Sequence, residues 1–300
     1  GNVGATTAHW AAAKELGDIV LLDIPQVGDM PKGKALDLQE SSPVEGFDAQ
    51  VTGTNSYEDT QDSDVVVVTA GIARKPGMSR DDLLSTNAGI IKSVVNSVKE
   101  TSPDAILIMV TNPLDVMTQL AWKTSGFPQN RVVGQAGVLD TARYRTFLAM
   151  ELGVSVEDVS AMLMGGHGDT MVPISRLATV GGVPVTDLIS SEQLKKIEDR
   201  TRVAGGEIVK LFGNGSAFYA PAQSAIEMAE AFLRDKKRVI PCASLCEGEF
   251  GIEDYFIGVP SVIGADGVEN ILEFALTDKE QSELNNTLKA VKKTVAETDL

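Results

Sequence analysis

Two periodicities alternate along the first half of the chain. IVLLDI (19–24), VVVVTAG (65–71), AILIMVTNP (105–113) and RVVG (131–134) are unbroken aliphatic and β-branched runs, the pattern of strands covered on both faces. Between them, residues 5–16, 32–41, 81–100 and 115–125 read as helices. Strand and helix in alternation predict a parallel sheet with crossover helices, a doubly wound α/β (Rossmann) domain.

The second half changes character. Helical patterns over 140–152, 191–212, 218–236 and 278–297 alternate with VSAMLMGG (159–166), MVPISRLATV (171–180), KRVIPCASLCEGEFG (237–251) and VPSVIG (259–264). Hairpin-like turns such as VGGVP point to antiparallel strands and an α+β domain. No internal repeat or low-complexity linker separates the halves, so an extensive shared interface is expected. The border falls near 134–140, giving a first domain of residues 1–135 and a second of 136–300.

Composition narrows the partners. Hydrophobic content of 43% and charged content of 23% are those of an ordinary globular protein. No apolar run reaches membrane-spanning length, and no basic leader precedes an apolar stretch, so neither a membrane nor export is expected. A net charge of −16 argues against nucleic acid and anionic lipid, and requires local cations wherever a small anion binds. Cys242 and Cys246 lack zinc-site spacing, so they read as buried thiols in a reducing, cytoplasmic setting, and no metal is expected.

The chain opens GNVGATTAHWAAAKELGDIVLLD. A dinucleotide fingerprint runs strand, G-x-G-x-x-G, helix, strand and then an acid about twenty residues on. Gly1 and Gly4 match its second and third glycines and Asp23 its acid, while the first glycine and the strand before it are absent. About eight residues ending in glycine are therefore expected ahead of Gly1, enough for that central strand. Gly1 would let the backbone approach a pyrophosphate at the positive end of the following helix. Asp23 would accept from ribose hydroxyls and repel a 2′-phosphate, favouring NAD over NADP. Alternatively, Asp23 is a turn residue ahead of Pro25.

Chemistry-bearing residues gather in four more segments. His167, one of two histidines, lies between glycines in GGHGDTMVP (165–173), where an imidazole could exchange a proton near neutral pH. Arg74 and Arg80 lie in GIARKPGMSRDD (71–82), after a strand, where open parallel sheets place ligands. TNP (111–113) ends the next strand; its Asn112–Pro113 bond could be cis or trans. In VLDTARYRTF (138–147), Asp140 and Arg143 share a helix face. Each has a plain alternative: a polar loop histidine, solvated loop arginines, a helix-capping aspartate. His9 reads as structural.

Taken in order and spacing, VVVVTAGIARKPGMSRDDLL, TNPLDVMT, GQAGVLDTARYR and MGGHGDTMVP resemble the malate dehydrogenases of the lactate-dehydrogenase-like type. The resemblance runs from Gly1 to the last helix; the missing first strand and glycine are its one departure. It implies an NAD-dependent enzyme of the tricarboxylic acid cycle that interconverts malate and oxaloacetate. His167 would exchange the substrate proton and Asp140 would hold its other ring nitrogen. Arg143 would grip the C1 carboxylate, Arg80 would polarise the carbonyl, and Arg74 would pair with the distal carboxylate. Asn112 would bond the substrate oxygen, and Ser216 and Ala217 would line the pocket. Gly1, Asn2, Val3, Gly4, Asp23, Gly71, Asn87, Val110, Thr111 and Asn112 would contact NAD. A homo-oligomer is implied, tetramer favoured over dimer, with helix 32–42 in the dimer contact. A lactate dehydrogenase would carry a neutral residue in place of Arg74. An NAD-dependent glycosidase would need a Cys/His metal cluster, and a non-catalytic relative would be free to lose His167, Asp140 or Arg143.

Overall fold

The computed structural model describes residues 1–72 and 80–298, Arg80 by its backbone alone. The first half runs α1 (Asn2–Ala13), β1 (Ile19–Leu22), α2 (Met30–Glu45), β2 (Val51–Thr54), β3 (Val65–Val68), α3 (Arg80–Thr101), β4 (Ile106–Met109), α4 (Leu114–Ser125) and β5 (Val132–Gly134). Strands β3, β4 and β5 are parallel neighbours, and β1 pairs in parallel with β2. The continuous apolar runs have the expected cause. Val68, Leu107, Met109 and Val132 face Ile91 and Val95 of α3 and Met117 and Leu120 of α4. Ile106, Ile108 and Val133 turn the other way. Full burial of each such side chain contributes about 1.5–3 kcal/mol.

One local expectation is corrected, and one strand is added to the pattern. Helix α1 begins at Asn2 rather than residue 5, because Gly4 lies inside its first turn. A Cβ on Gly4 would stand only 3.2 Å from Thr69 Oγ1, just past β3. The strand β2 had no counterpart in the hydrophobic pattern, since VTGT is short and half polar.

The second half continues with α5 (Ala136–Leu152), β6 (Val159–Ser160), β7 (Leu163–Met164), β8 (Val172–Pro173), β9 (Thr179–Val180), β10 (Val183–Pro184), α6 (Val185–Leu188), α7 (Ser191–Phe212), α8 (Tyr219–Leu233), β11 (Arg238–Glu247), β12 (Glu253–Gly264), β13 (Gly267–Ile271) and α9 (Asp278–Ala296). The VGGVP turn joins β9 to β10 in an antiparallel pair, as expected. The long β11–β12 hairpin, however, is not confined to a separate layer. Ala243 of β11 pairs with Gly134 of β5, so the parallel strands continue into antiparallel ones in a single six-stranded sheet, β13-β12-β11-β5-β4-β3. Helix α8 covers the Ile106/Ile108 face of that sheet with Ala225, Met228 and Phe232.

A row of small residues crosses this sheet at one level: Gly134, Ala243 and Gly258 pair in turn, and Gly258 bridges to Gly165. A Cβ on Gly258 would lie 2.5 Å from Gly165 O. Only glycine permits this approach, which ties the turn carrying His167 to the first half's sheet.

Candidate active site

The turn between β7 and β8 carries His167, and α5 runs beneath it. Asp140 and Arg143, three residues apart on α5, reach the same place. His167 Nδ1 lies 2.8 Å from Asp140 Oδ2, and Arg143 Nη1 donates to Asp140 Oδ1 at 3.3 Å. Side-chain exposure is 4% for Asp140, 12% for Arg143 and 19% for His167. Asp140 thus has one oxygen for each partner, which orients the ring and leaves Nε2 without a hydrogen-bond partner among the described residues.

Electrostatics sharpen this arrangement. Burial disfavours the charged imidazole, but Asp140, by charge and hydrogen bond, and Asp115, by charge, outweigh burial and the opposing Arg143; the His167 pKa lies above its ordinary 6.5. Burial pulls the Arg143 pKa down from its ordinary value, against the support of Asp140. Its buried Nε has no hydrogen-bond partner among the described residues. A partly desolvated guanidinium with a free donor is matched by a carboxylate, which a planar fork can hold through two bonds.

The glycines around His167 do not share one role. A Cβ on Gly166 would lie 3.0 Å from Thr287 Oγ1 and Val291 Cγ2 of α9, and Gly166 N donates to Thr287 Oγ1. Gly165 sits against Gly258 and Thr287. Only at Gly168 would a Cβ meet nothing within 4 Å. Two glycines serve close packing, and one faces open space.

The loops after β3 and β4 meet at Asn87 of α3. Its Oδ1 accepts from Ile72 N at 2.9 Å, and its Nδ2 donates to Asn112 O at 2.8 Å and Ile72 O at 3.2 Å. Asn87 is buried, so it holds these two loops together. Thr111 Oγ1 donates to Ala70 O, and a Cβ on Gly71 would lie 2.7 Å from Thr111 Cγ2, so the loops cannot accept a larger residue there. The Asn112–Pro113 bond is cis.

Residues 1–134 match the family described as "lactate/malate dehydrogenase, NAD binding domain", and residues 137–299 match "lactate/malate dehydrogenase, alpha/beta C-terminal domain". The malate dehydrogenase of Rhodopirellula baltica is 62% identical over 299 residues, covering 100% of this chain and 95% of that one. The structure of malate dehydrogenase from Salinibacter ruber superposes with a TM-score of 0.95 at 52% identity, over 99% of this chain and 94% of that one. The Cryptosporidium parvum lactate dehydrogenase complexed with lactic acid and nicotinamide adenine dinucleotide gives 0.95 at 44% identity, over the same shares.

The chain belongs to the lactate/malate dehydrogenase family. It is an NAD-dependent oxidoreductase, and the start of its NAD-binding domain fits that cofactor. Helix α1 has no side-chain cap, and no acid occupies its first turn. The four free N–H groups of such a helix start favour a pyrophosphate. Gly1 and Asp23, the acid just beyond β1, lie side by side.

Other family positions divide by location. Asn2 and Val3 form the first turn of α1, and Val110 N donates to Val68 O at the end of β4. Ser216 is exposed and Ala217 half-buried in the loop between α7 and α8. Arg74 lies outside the described residues; Arg80 opens α3, its side chain likewise outside them. The residue that the sequence reading missed is Asp115. It follows TNPL in the first turn of α4, and its Oδ2 accepts from His167 N at 2.9 Å. Nothing in the sequence separates this acid from an ordinary residue of a helix's first turn. Among the described residues, no group of three or more His, Cys, Asp and Glu is placed to hold a metal ion, and no helix is long and apolar enough to cross a membrane.

Proposed function

We propose that the protein catalyses the reversible oxidation of (S)-malate to oxaloacetate with NAD. The observation that carries this reading is the buried Arg143–Asp140–His167 chain, whose arginine keeps an Nε with no partner among the described residues. When bound, NAD supplies the hydride acceptor for oxidation and the donor for reduction. His167 takes the hydroxyl proton of malate at Nε2 and returns it to oxaloacetate in the reverse direction. Asp140 keeps the proton on Nδ1, fixes the tautomer and stabilises the imidazolium.

Arg143 holds the C1 carboxylate, and Asn112 bonds the substrate oxygen. Arg80 polarises the carbonyl, and Ser216 and Ala217 line the pocket. Residues 1–135 bind NAD through Gly1, Asn2, Val3, Gly4, Asp23, Gly71, Val110, Thr111 and Asn112, with Asn87 setting the loops; residues 136–300 supply the acid/base centre. The net charge of −16 opposes a dianion only at long range, where salt screens it within about 8–10 Å. Arginines at contact range outweigh it.

Arg74 is the proposed selector of the second carboxylate. The likeness to a lactate dehydrogenase favours a second reading, a monocarboxylic 2-hydroxy acid as substrate. NADH consumption measured with oxaloacetate, with pyruvate and with neither separates the two, and oxaloacetate is expected to win. Leaving a buried charge unpaired costs about 3–5 kcal/mol, so Arg74→Gln should move the preference toward pyruvate by about two to three and a half decades. An unchanged preference removes Arg74 from this role.

The same reading makes the enzyme a cytoplasmic homotetramer of the tricarboxylic acid cycle. Leu36 and Val44 of α2 and Leu211 and Phe212 of α7 support an oligomer, because these apolar side chains are exposed on the single chain. Sedimentation should give the mass of four chains; a single-chain mass contradicts it.

A further inference from the structure

Asp115 has no part in the chemistry so far. It is buried, and its Oδ2 meets the Gly166–His167 peptide, 2.9 Å from His167 N and 3.2 Å from where a Cβ on Gly166 would stand. A neutral amide could accept the same N–H without the desolvation cost of a carboxylate. The charge therefore calls for a role of its own.

We propose that Asp115 is a positioning residue of the acid/base step, a second carboxylate that seats the His167 peptide and favours the charged ring. The inference rests on the reading of His167 as proton carrier. Among the described residues, the groups around the ring come from three elements. Asp140 and Arg143 approach from α5 and Asp115 from α4, while Thr287 and Val291 of α9, which flank Gly166, do not titrate. The two carboxylates favour the charged ring, and burial and Arg143 oppose it. Burial lifts the Asp115 carboxyl to about 6, against the pull of the His167 N–H, so the charge is present at neutral pH and fades below it. Removing it lowers the His167 pKa. Oxidation, which needs the neutral ring, then extends to lower pH, and reduction, which needs the protonated ring, loses its alkaline side.

The test uses the two-histidine content of the chain. In the NADH complex of the full chain, ¹⁵N-labelled imidazoles give two ring systems, and His9→Gln assigns the other one. Asp115→Asn keeps an acceptor for the peptide N–H and removes the charge. It should lower the His167 midpoint by about one unit, a tenfold change in acid constant. The acid limb of malate oxidation should move with it, and KM should stay unchanged. A variant midpoint equal to that of the unaltered protein overturns the proposal. A midpoint that moves while the rate profile stays fixed overturns the proton-carrier reading, and the catalytic role of Asp115 falls with it. Should the variant not fold, the unaltered protein decides: its His167 signal should show a second, smaller inflection near pH 6 as Asp115 protonates, and a single inflection overturns the proposal.

Discussion

Around His167 the carboxylates already have their partners, Asp140 between the ring and Arg143, Asp115 under the His167 peptide. At the start of α1 the need is different: the helix end has no side-chain cap and no acid in its first turn, and the Asp23 side chain stays 23% exposed. Proton transfer depends on a pKa, and a pKa must be set by charges and burial before the substrate arrives. Cofactor recognition depends on donors and acceptors that remain available, so the protein leaves them to solvent. The acid/base centre is accordingly held by close packing, with Gly165 and Gly166 pressed against α9 and Gly258. The start of α1 instead presents uncapped backbone N–H groups.

Breaking the paired centre should give the largest effect. His167→Asn removes the proton carrier, and kcat should fall by about 10²–10⁴-fold in both directions. NADH affinity, read by fluorescence, should stay within about twofold, because the start of α1 and Asp23 are untouched. Equal losses in both quantities would mean that the two regions are not separable.

The open region should respond more weakly. Asp23→Asn removes a charged acceptor, and hydrogen bonds to charged groups are worth about 1.5–3 kcal/mol. The KM for NAD should therefore rise by about ten- to a hundredfold while kcat changes little, and the preference for NAD over NADP should narrow. A kcat that falls as far as the KM rises contradicts the division.

Away from both sites lies a third kind of pairing. Glu230 of α8, its side chain 10% exposed, accepts from Lys14 at 2.8 Å and Lys236 at 2.6 Å, with Arg234 at 3.0 Å. The hydrogen bonds of Lys14 and Lys236 hold its carboxyl down at about 2, below the ordinary 4.5. A lowered acid pKa contributes stability that is fully present above pH 4.5 and is lost as pH falls toward 2. Glu230→Gln should cost about 1–3 kcal/mol at neutral pH and progressively less below pH 4, with turnover unchanged. Thermal melting at pH 7 and pH 3 checks this, and a difference that grows on acidification contradicts it.

How far these regions could be read in the sequence follows from the same physics. The strands β3, β4 and β5 announce themselves because both faces are covered, and His167, Asp140 and Arg143 stand out by residue type and family spacing. The strand β2 does not, since VTGT has no hydrophobic run; its partner β1 supplies the pattern. The continuation of the sheet through Ala243 and Gly134 is also silent in the sequence, because one backbone pairing carries it across more than a hundred residues. Asp115 is silent for a similar reason. Its partner is a main-chain N–H fifty-two residues away, and no side-chain motif records such a bond.

A crystal structure with NADH and a non-reacting dicarboxylate analogue puts the proton-carrier claim to its most direct trial. The account predicts His167 Nε2 at about 2.7–3.2 Å, hydrogen-bond distance, from the analogue oxygen at carbon 2, Nδ1 still on Asp140, and Arg143 on the neighbouring carboxylate. An imidazole turned toward solvent, with the analogue bound out of reach of both His167 and Arg143, contradicts it.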